Sequence, residues 1–136
     1  MAGNNCMCQQ AGILVFSCSG AADAGELSDR VARRIAQCGQ AKMFCLAGVG
    51  AHVPGMIESA KAGTRLITID GCPVSCAQKT LEHAGFTPVA FNLKDMGFEK
   101  GKTAVNEESI EKVLSKISGG NVEETDRNIS RGCCGC

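Results

Sequence analysis

Four short runs of branched and apolar residues alternate with stretches of helical periodicity, and no other feature of the chain narrows its fold so far. The first run is Ile13-Leu14-Val15-Phe16, leaving into Ser17-Cys18-Ser19-Gly20. A helix is expected from about Asp23 to Gln37, with Ala24, Leu27, Val31 and Ile35 at helical spacing, Asp23 as its N-cap and Gly39 as its stop. The second strand is expected over Lys42–Leu46, leaving into Ala47-Gly48-Val49-Gly50 as a loop, and a short helix opens at Pro54 and ends near Gly63. The third strand, Arg65–Ile69, runs into Asp70-Gly71-Cys72, after which Pro73 is expected to open a helix that reaches about Ala84. Pro88–Asn92 makes the fourth strand, Leu93 to Val105 a polar loop, and Asn106–Ile117 a last helix with Ile110, Val113, Leu114 and Ile117 on its apolar face.

Strands that alternate with helices pair in parallel, and right-handed crossovers wrap helices over both faces of the sheet. The expected fold is therefore α/β, a three-layer sandwich around a four-stranded parallel sheet of the Rossmann or flavodoxin kind. The expected strand order is 2-1-3-4, which puts a switch point between the first and third strands. Residues 11–118 form that domain, 1–10 a Cys-bearing N-terminal tail and 119–136 a Cys-rich C-terminal tail. One domain suits a chain of 136 residues, and a core of this size folds without staples.

Composition then limits the partners. Fourteen basic and fourteen acidic side chains cancel, and a nucleic-acid or anionic-membrane partner leaves a basic excess that this chain lacks. Trp and Tyr are absent, so the usual stacking platforms for bases and sugars are missing as well. No apolar run approaches a membrane span and Met1–Asn5 carries no signal-peptide pattern, so a cytoplasmic protein is expected.

Ten cysteines stand against that ordinary background. In a reducing compartment such a count points to metal ligation, thiol redox chemistry or sulfur handling rather than to a disulfide framework. Cys18 follows the first strand, Cys45 ends the second and Cys72 follows the third. Parallel strands deliver their carboxyl ends to one edge of the sheet, so thiols distant in sequence converge without a local motif. Cys76 joins them from the helix after the third strand, four residues beyond Cys72. Four thiolates suit tetrahedral Zn2+, and three helix N-termini at this edge oppose the surplus negative charge. The same four side chains suit thiol redox or sulfur-transfer chemistry, with Cys72 as nucleophile, or an iron–sulfur cluster.

Other residues carry less. His52 is placed near the same edge as a ligand, a donor to a ligand or a locally bonded loop residue, and His83 faces solvent away from it. Cys38 reads as a buried or capping thiol, and Asp70 as a residue that orients its turn. Gly48-x-Gly50 lacks the rest of a dinucleotide fingerprint, and Gly97–Thr103 has one residue too few between its glycines for a phosphate loop. Cys6, Cys8, Cys133, Cys134 and Cys136 are soft ligands in the tails, suited to thiophilic ions or to a relay, or have no site role.

The segment Ile69-Asp70-Gly71-Cys72-Pro73-Val74-Ser75-Cys76-Ala77, preceded by Ser17-Cys18-Ser19-Gly20 and Met43-Phe44-Cys45-Leu46-Ala47-Gly48, resembles the DGC-domain family over about Gly12 to Lys100. That resemblance implies a four-cysteine zinc site at Cys18, Cys45, Cys72 and Cys76, the positions already reached from the strand ends. It implies no reaction, and it does not extend to the Cys-rich ends. The expectation is a zinc-binding protein in metal sensing, storage or delivery, its partner the metal ion, with redox, sulfur-transfer or metalloid handling and iron–sulfur ligation as the alternatives.

Overall fold

The computed structural model describes residues 12–119. Its sheet is built of β1 (Ile13–Ser17), β2 (Lys42–Met43), β3 (Arg65–Asp70) and β4 (Val89–Asn92), all parallel and in the order β2-β1-β3-β4. Five α-helices accompany them among the described residues, α1 (Asp23–Gln37), α2 (Leu46–Gly50), α3 (Pro54–Lys61), α4 (Cys76–His83) and α5 (Glu107–Gly119), and a 3-10 helix, Leu93–Met96, starts the stretch expected to be a polar loop and buries Leu93 and Met96 in the core. The two tails expected at residues 1–10 and 119–136 lie outside the described residues, apart from Gly119 at the end of α5.

Alternation along the central strands sorts the core into two layers. Val15, Ile67 and Ile69 face α1 and α5, where Leu27, Val31, Ile35, Ile110, Val113 and Ile117 close over them. Leu14 and Phe16 point the other way, against Val49 of α2, Ala60 of α3 and Leu81 of α4. β1 and β3 are covered on both sides, which is why Ile13–Phe16 reads as an unbroken apolar run and Leu66–Ile69 as one interrupted only by the buried Thr68. Burying these side chains supplies the main driving force for the fold, at about 25 cal/mol per Å2 of apolar surface.

Three local expectations are corrected. The second strand stops at Met43, and Leu46–Gly50 is the helix α2 rather than a loop, because Cys45 caps it by accepting the Gly48 amide. Pro73 does not open α4. The chain turns through Cys72–Ser75, Ser75 takes a left-handed backbone (φ 53°), and the helix starts at Cys76. Asp23 is the first residue of α1 and not its N-cap, which is Ala22. Its carboxylate accepts amides of Ala24, Gly101 and Thr103 at 2.8, 2.8 and 2.7 Å, tying the segment before α5 to the start of α1. Those amides, Gly101 first and Thr103 next, hold the Asp23 carboxyl below its ordinary value. Asn106 caps α5 through the Ser109 amide at 2.9 Å.

Candidate thiol site at the carboxyl edge of the sheet

Register brings the cysteines to one edge. Val15 lies opposite Met43 and Ser17 opposite Ile69, so Cys18, Cys45 and Cys72 all fall one or two residues beyond the ends of β1, β2 and β3. Cys76 begins α4, four residues past Cys72. All four are free thiols. Cys18 and Cys72 are half-buried, whereas Cys45 and Cys76 are exposed.

Each sulfur's setting follows from local backbone. Cys18 continues β1 by donating its own amide to Ile69 O at 3.1 Å, and its Sγ accepts the Gly71 amide at 3.3 Å. On its other side Sγ lies 3.2 Å from Oγ of Ser28, a wholly buried hydroxyl on α1 that is 2.7 Å from Gly25 O. A hydroxyl has one proton, so while Ser28 donates to Gly25 O it can only accept from the Cys18 thiol; toward a thiolate it must turn and donate. Cys45 Sγ accepts the Gly48 amide at 3.3 Å. Two of the four sulfurs thus already take a backbone N–H, the contact that stabilises negative charge on sulfur.

The Asp70-Gly71-Cys72 turn has a separate reason for each residue. Asp70 is 2% exposed, and its carboxylate caps α4 through the Ala77 and Gln78 amides at 2.8 and 3.1 Å. Burial pushes its pKa above the ordinary value, and the two amides pull it back in part. Gly71 passes so close to α1 that a Cβ would sit 2.6 Å from the carbonyl carbon and oxygen of Ala24. Beyond them, Cys72 O accepts from Asn92 Nδ2 at 2.7 Å, and the same nitrogen lies 3.1 Å from Ser75 Oγ. Asn92, at the end of β4, therefore holds the turn that carries Cys72. It appeared in the sequence only as a strand residue, and nothing local marks it.

A second polar group lies beside Cys18. Ser17 and Ser19 hydroxyls are 2.7 Å apart, and Ser19 donates to Asp29 Oδ1 at 2.8 Å while Arg33 binds Oδ2 at 2.6 Å. Burial raises the Asp29 pKa, but the Arg33 guanidinium and the two hydroxyls outweigh it and leave the carboxyl below its ordinary value. This network fixes the loop that carries Cys18, with Ser19 in a left-handed backbone (φ 44°).

Among the described residues, no three His, Cys, Asp or Glu side chains are gathered closely enough to hold a metal ion as the backbone stands. The edge therefore assembles the four thiols without closing them into a coordination shell. His52 does not join them: α2 carries the chain away from the edge, and its ring meets that of His83 instead, edge to face, with centroids 5.3 Å apart. The expected solvent exposure of His83 holds, but it has this partner. Cys38 is the C-cap of α1 through its backbone, but it is half-buried and disulfide-bonded rather than a buried or capping thiol.

A parallel α/β sheet with free thiols grouped at its carboxyl edge defines the class of protein. The DGC domain family matches residues 14–117, most of the chain, and the chain belongs to that family. It is also 33% identical over 88 residues to the anaerobic and virulence modulator AnvM of Pseudomonas aeruginosa, a stretch covering 64% of this chain and 67% of that protein. No solved structure matches. Among the described residues, no helix is long and apolar enough to cross a membrane.

Proposed function

We propose that this chain holds one Zn2+ through Cys18, Cys45, Cys72 and Cys76, in metal sensing, storage or delivery. The observation that carries the reading is that four free thiols follow β1, β2 and β3 at a single sheet edge, two of them already accepting backbone amides. The donor set fits the metal: zinc takes four sulfurs tetrahedrally, and N–H donors offset the net charge of about −2 that four thiolates leave on it. Closing the shell requires movement at the edge, since no three such ligands are gathered there among the described residues.

When bound, a zinc ion with four sulfur ligands offers no open position to water, so holding rather than hydrolysis is the chemistry supplied. The protein's own residues do the rest. Gly71 stabilises charge on Cys18, joined by Ser28 once its hydroxyl turns away from Gly25 O; Gly48 does so on Cys45, and Asn92 fixes the turn that bears Cys72. Neither apolar layer includes a cysteine, so on this reading the ion can leave while the fold stays. That separates an exchangeable site from a structural one. The relative's name links that protein to anaerobic life and virulence; zinc thiolates release metal when oxidised, so an oxygen-responsive site is compatible with it.

Cobalt substitution under nitrogen tests the reading. Co2+ bound by four thiolates gives strong sulfur-to-metal charge-transfer absorption, which should fall stepwise in Cys18→Ser, Cys45→Ser, Cys72→Ser and Cys76→Ser. Absorption that survives all four substitutions unchanged would place the metal elsewhere and overturn the assignment.

A further inference from the structure

The helices α2 and α4 pack side by side on one face of the sheet, and they carry the same spacing. Cys45 caps α2 and His52 follows seven residues later; Cys76 begins α4 and His83 follows seven residues later. Seven residues are close to two helical turns, or about 10 Å of rise. On α4 that puts His83 on the same face as Cys76, at the opposite end. The two thiols thus mark the ends of α2 and α4 at the sheet edge, and the two imidazoles lie in contact at the far end.

We propose that His52 and His83 form a second metal site, for one divalent first-row transition ion with water completing its shell. Both rings are exposed, so water and an ion reach them. Their separation matches the chemistry. With a metal–nitrogen bond of about 2.0 Å and a ring centroid about 1.1 Å behind the nitrogen, two imidazoles on one tetrahedral ion have centroids about 5.1 Å apart. The observed separation is 5.3 Å. The rings now meet at 68°, and because both are exposed they can turn about their own axes to aim a nitrogen at a shared ion without moving the backbone.

The backbone is built to keep them together. His52 sits in a left-handed conformation, φ 54°, which turns the chain sharply at the end of α2, and its amide donates to Val49 O at 3.0 Å. Gly50 lies so close to α4 that a Cβ would be 3.3 Å from Thr80 Cγ2. α2 and α4 therefore approach closely one turn before His83. Imidazole suits Ni2+, Cu2+ and Zn2+, whereas the thiols at the other end favour softer ions. This site does not depend on what the thiols hold.

The experiment is a titration of the untagged, reduced full chain, its thiols first loaded with one equivalent of Zn2+, with Co2+, which is paramagnetic and accepts the tetrahedral geometry, followed by the imidazole ring-proton NMR signals. The chain has two histidines, so two sets of signals report the whole result. If one ion joins both rings, the two signals broaden together as the first equivalent is added. His83→Gln, or His52→Asn with a residue that tolerates the left-handed backbone, then weakens the response of the remaining ring at least tenfold. Two variants at exposed positions guard against one of them misfolding, and the amide spectrum checks both. Rings that respond at different concentrations, a remaining ring that responds as in the wild type, or no response from either ring would each overturn the site.

Discussion

Replacing Gly71 by alanine tests the packing that places Cys18 beside the Asp70–Cys72 turn. The new Cβ would fall 2.6 Å from the carbonyl carbon and oxygen of Ala24 and 2.8 Å from the Gly25 amide nitrogen, all backbone atoms. Those atoms cannot step aside as a side-chain end can. Gly25 is itself pressed against Gly20, where a Cβ would meet the carbonyl oxygen at 2.5 Å, so the first turn of α1 cannot retreat that way. Overpacking of this kind costs about 1–3 kcal/mol. Displacing the turn also loses the Gly71 amide bond to Cys18 Sγ, worth about 0.5–1.5 kcal/mol. Together these predict a loss of about 2–4 kcal/mol, a large share of the 5–15 kcal/mol typical of a domain. Urea unfolding of the reduced protein, followed by circular dichroism, measures it. Gly55→Ala is the control, since nothing lies within 4 Å of a Cβ in α3 there; it should be neutral or stabilising by up to about 1 kcal/mol. A Gly71→Ala protein within about 0.5 kcal/mol of wild type would refute the close approach of turn and helix.

Further perturbations reach other parts of the account. Ser28→Ala removes the buried hydroxyl beside Cys18 and should weaken zinc binding by about tenfold or more in competition with a chelator, the fold remaining intact; unchanged affinity would take Ser28 out of the site. Asp70→Ala leaves the Ala77 and Gln78 amides without their cap and should cost about 1–3 kcal/mol, with faster hydrogen exchange confined to the first turn of α4. Asp23 is held below its ordinary value of 3.8, so its contribution is present above that pH and is lost as the pH falls through its lower folded value. Asp23→Asn should therefore flatten the acid limb of the stability curve, and an acid limb identical to wild type would contradict the tether to Gly101 and Thr103. Asp70 has the opposite sign: raised by burial, its contribution is full below 3.8 and is lost as the pH rises through the folded value.

The parallel sheet and its order were legible because β1 and β3 are buried on both faces and read as apolar runs, and because turns and helices separate them regularly. The helix α2 was hidden: its five residues are Leu-Ala-Gly-Val-Gly, too few for periodicity and too rich in glycine for propensity, and its stability comes from Val49 in the core and Cys45 at the cap. Pro73 misled for a physical reason. Proline suits a first helical turn, but Asp70 reaches past it to cap Ala77 and Gln78, and that choice depends on tertiary burial. The placement of Cys18, Cys45 and Cys72 beyond β1, β2 and β3 was legible because parallel topology alone brings strand ends to one edge. Ser28 and Asn92 were not, since each acts through a contact that sequence does not display. The pairing of His52 with His83 had a visible signal, Cys-x6-His occurring twice, but it gains meaning only when α2 is known to be a helix packed on α4.

Two features together make an exchangeable metal the coherent reading of the edge. The fold is closed by two apolar layers that include no cysteine, and two of the four thiols at the edge, Cys45 and Cys76, are exposed. A structural site would show the reverse, with its ligands buried and the core thin around them.

Zinc held by the edge thiols is read from the zinc content of protein purified without oxygen, wild type beside Cys72→Ser/Cys76→Ser. One zinc per chain in the wild type and none in the double variant, with the two circular dichroism spectra alike, is the result predicted. A wild-type chain without bound zinc, even after loading under reducing conditions, or a double variant that keeps its zinc, would contradict it.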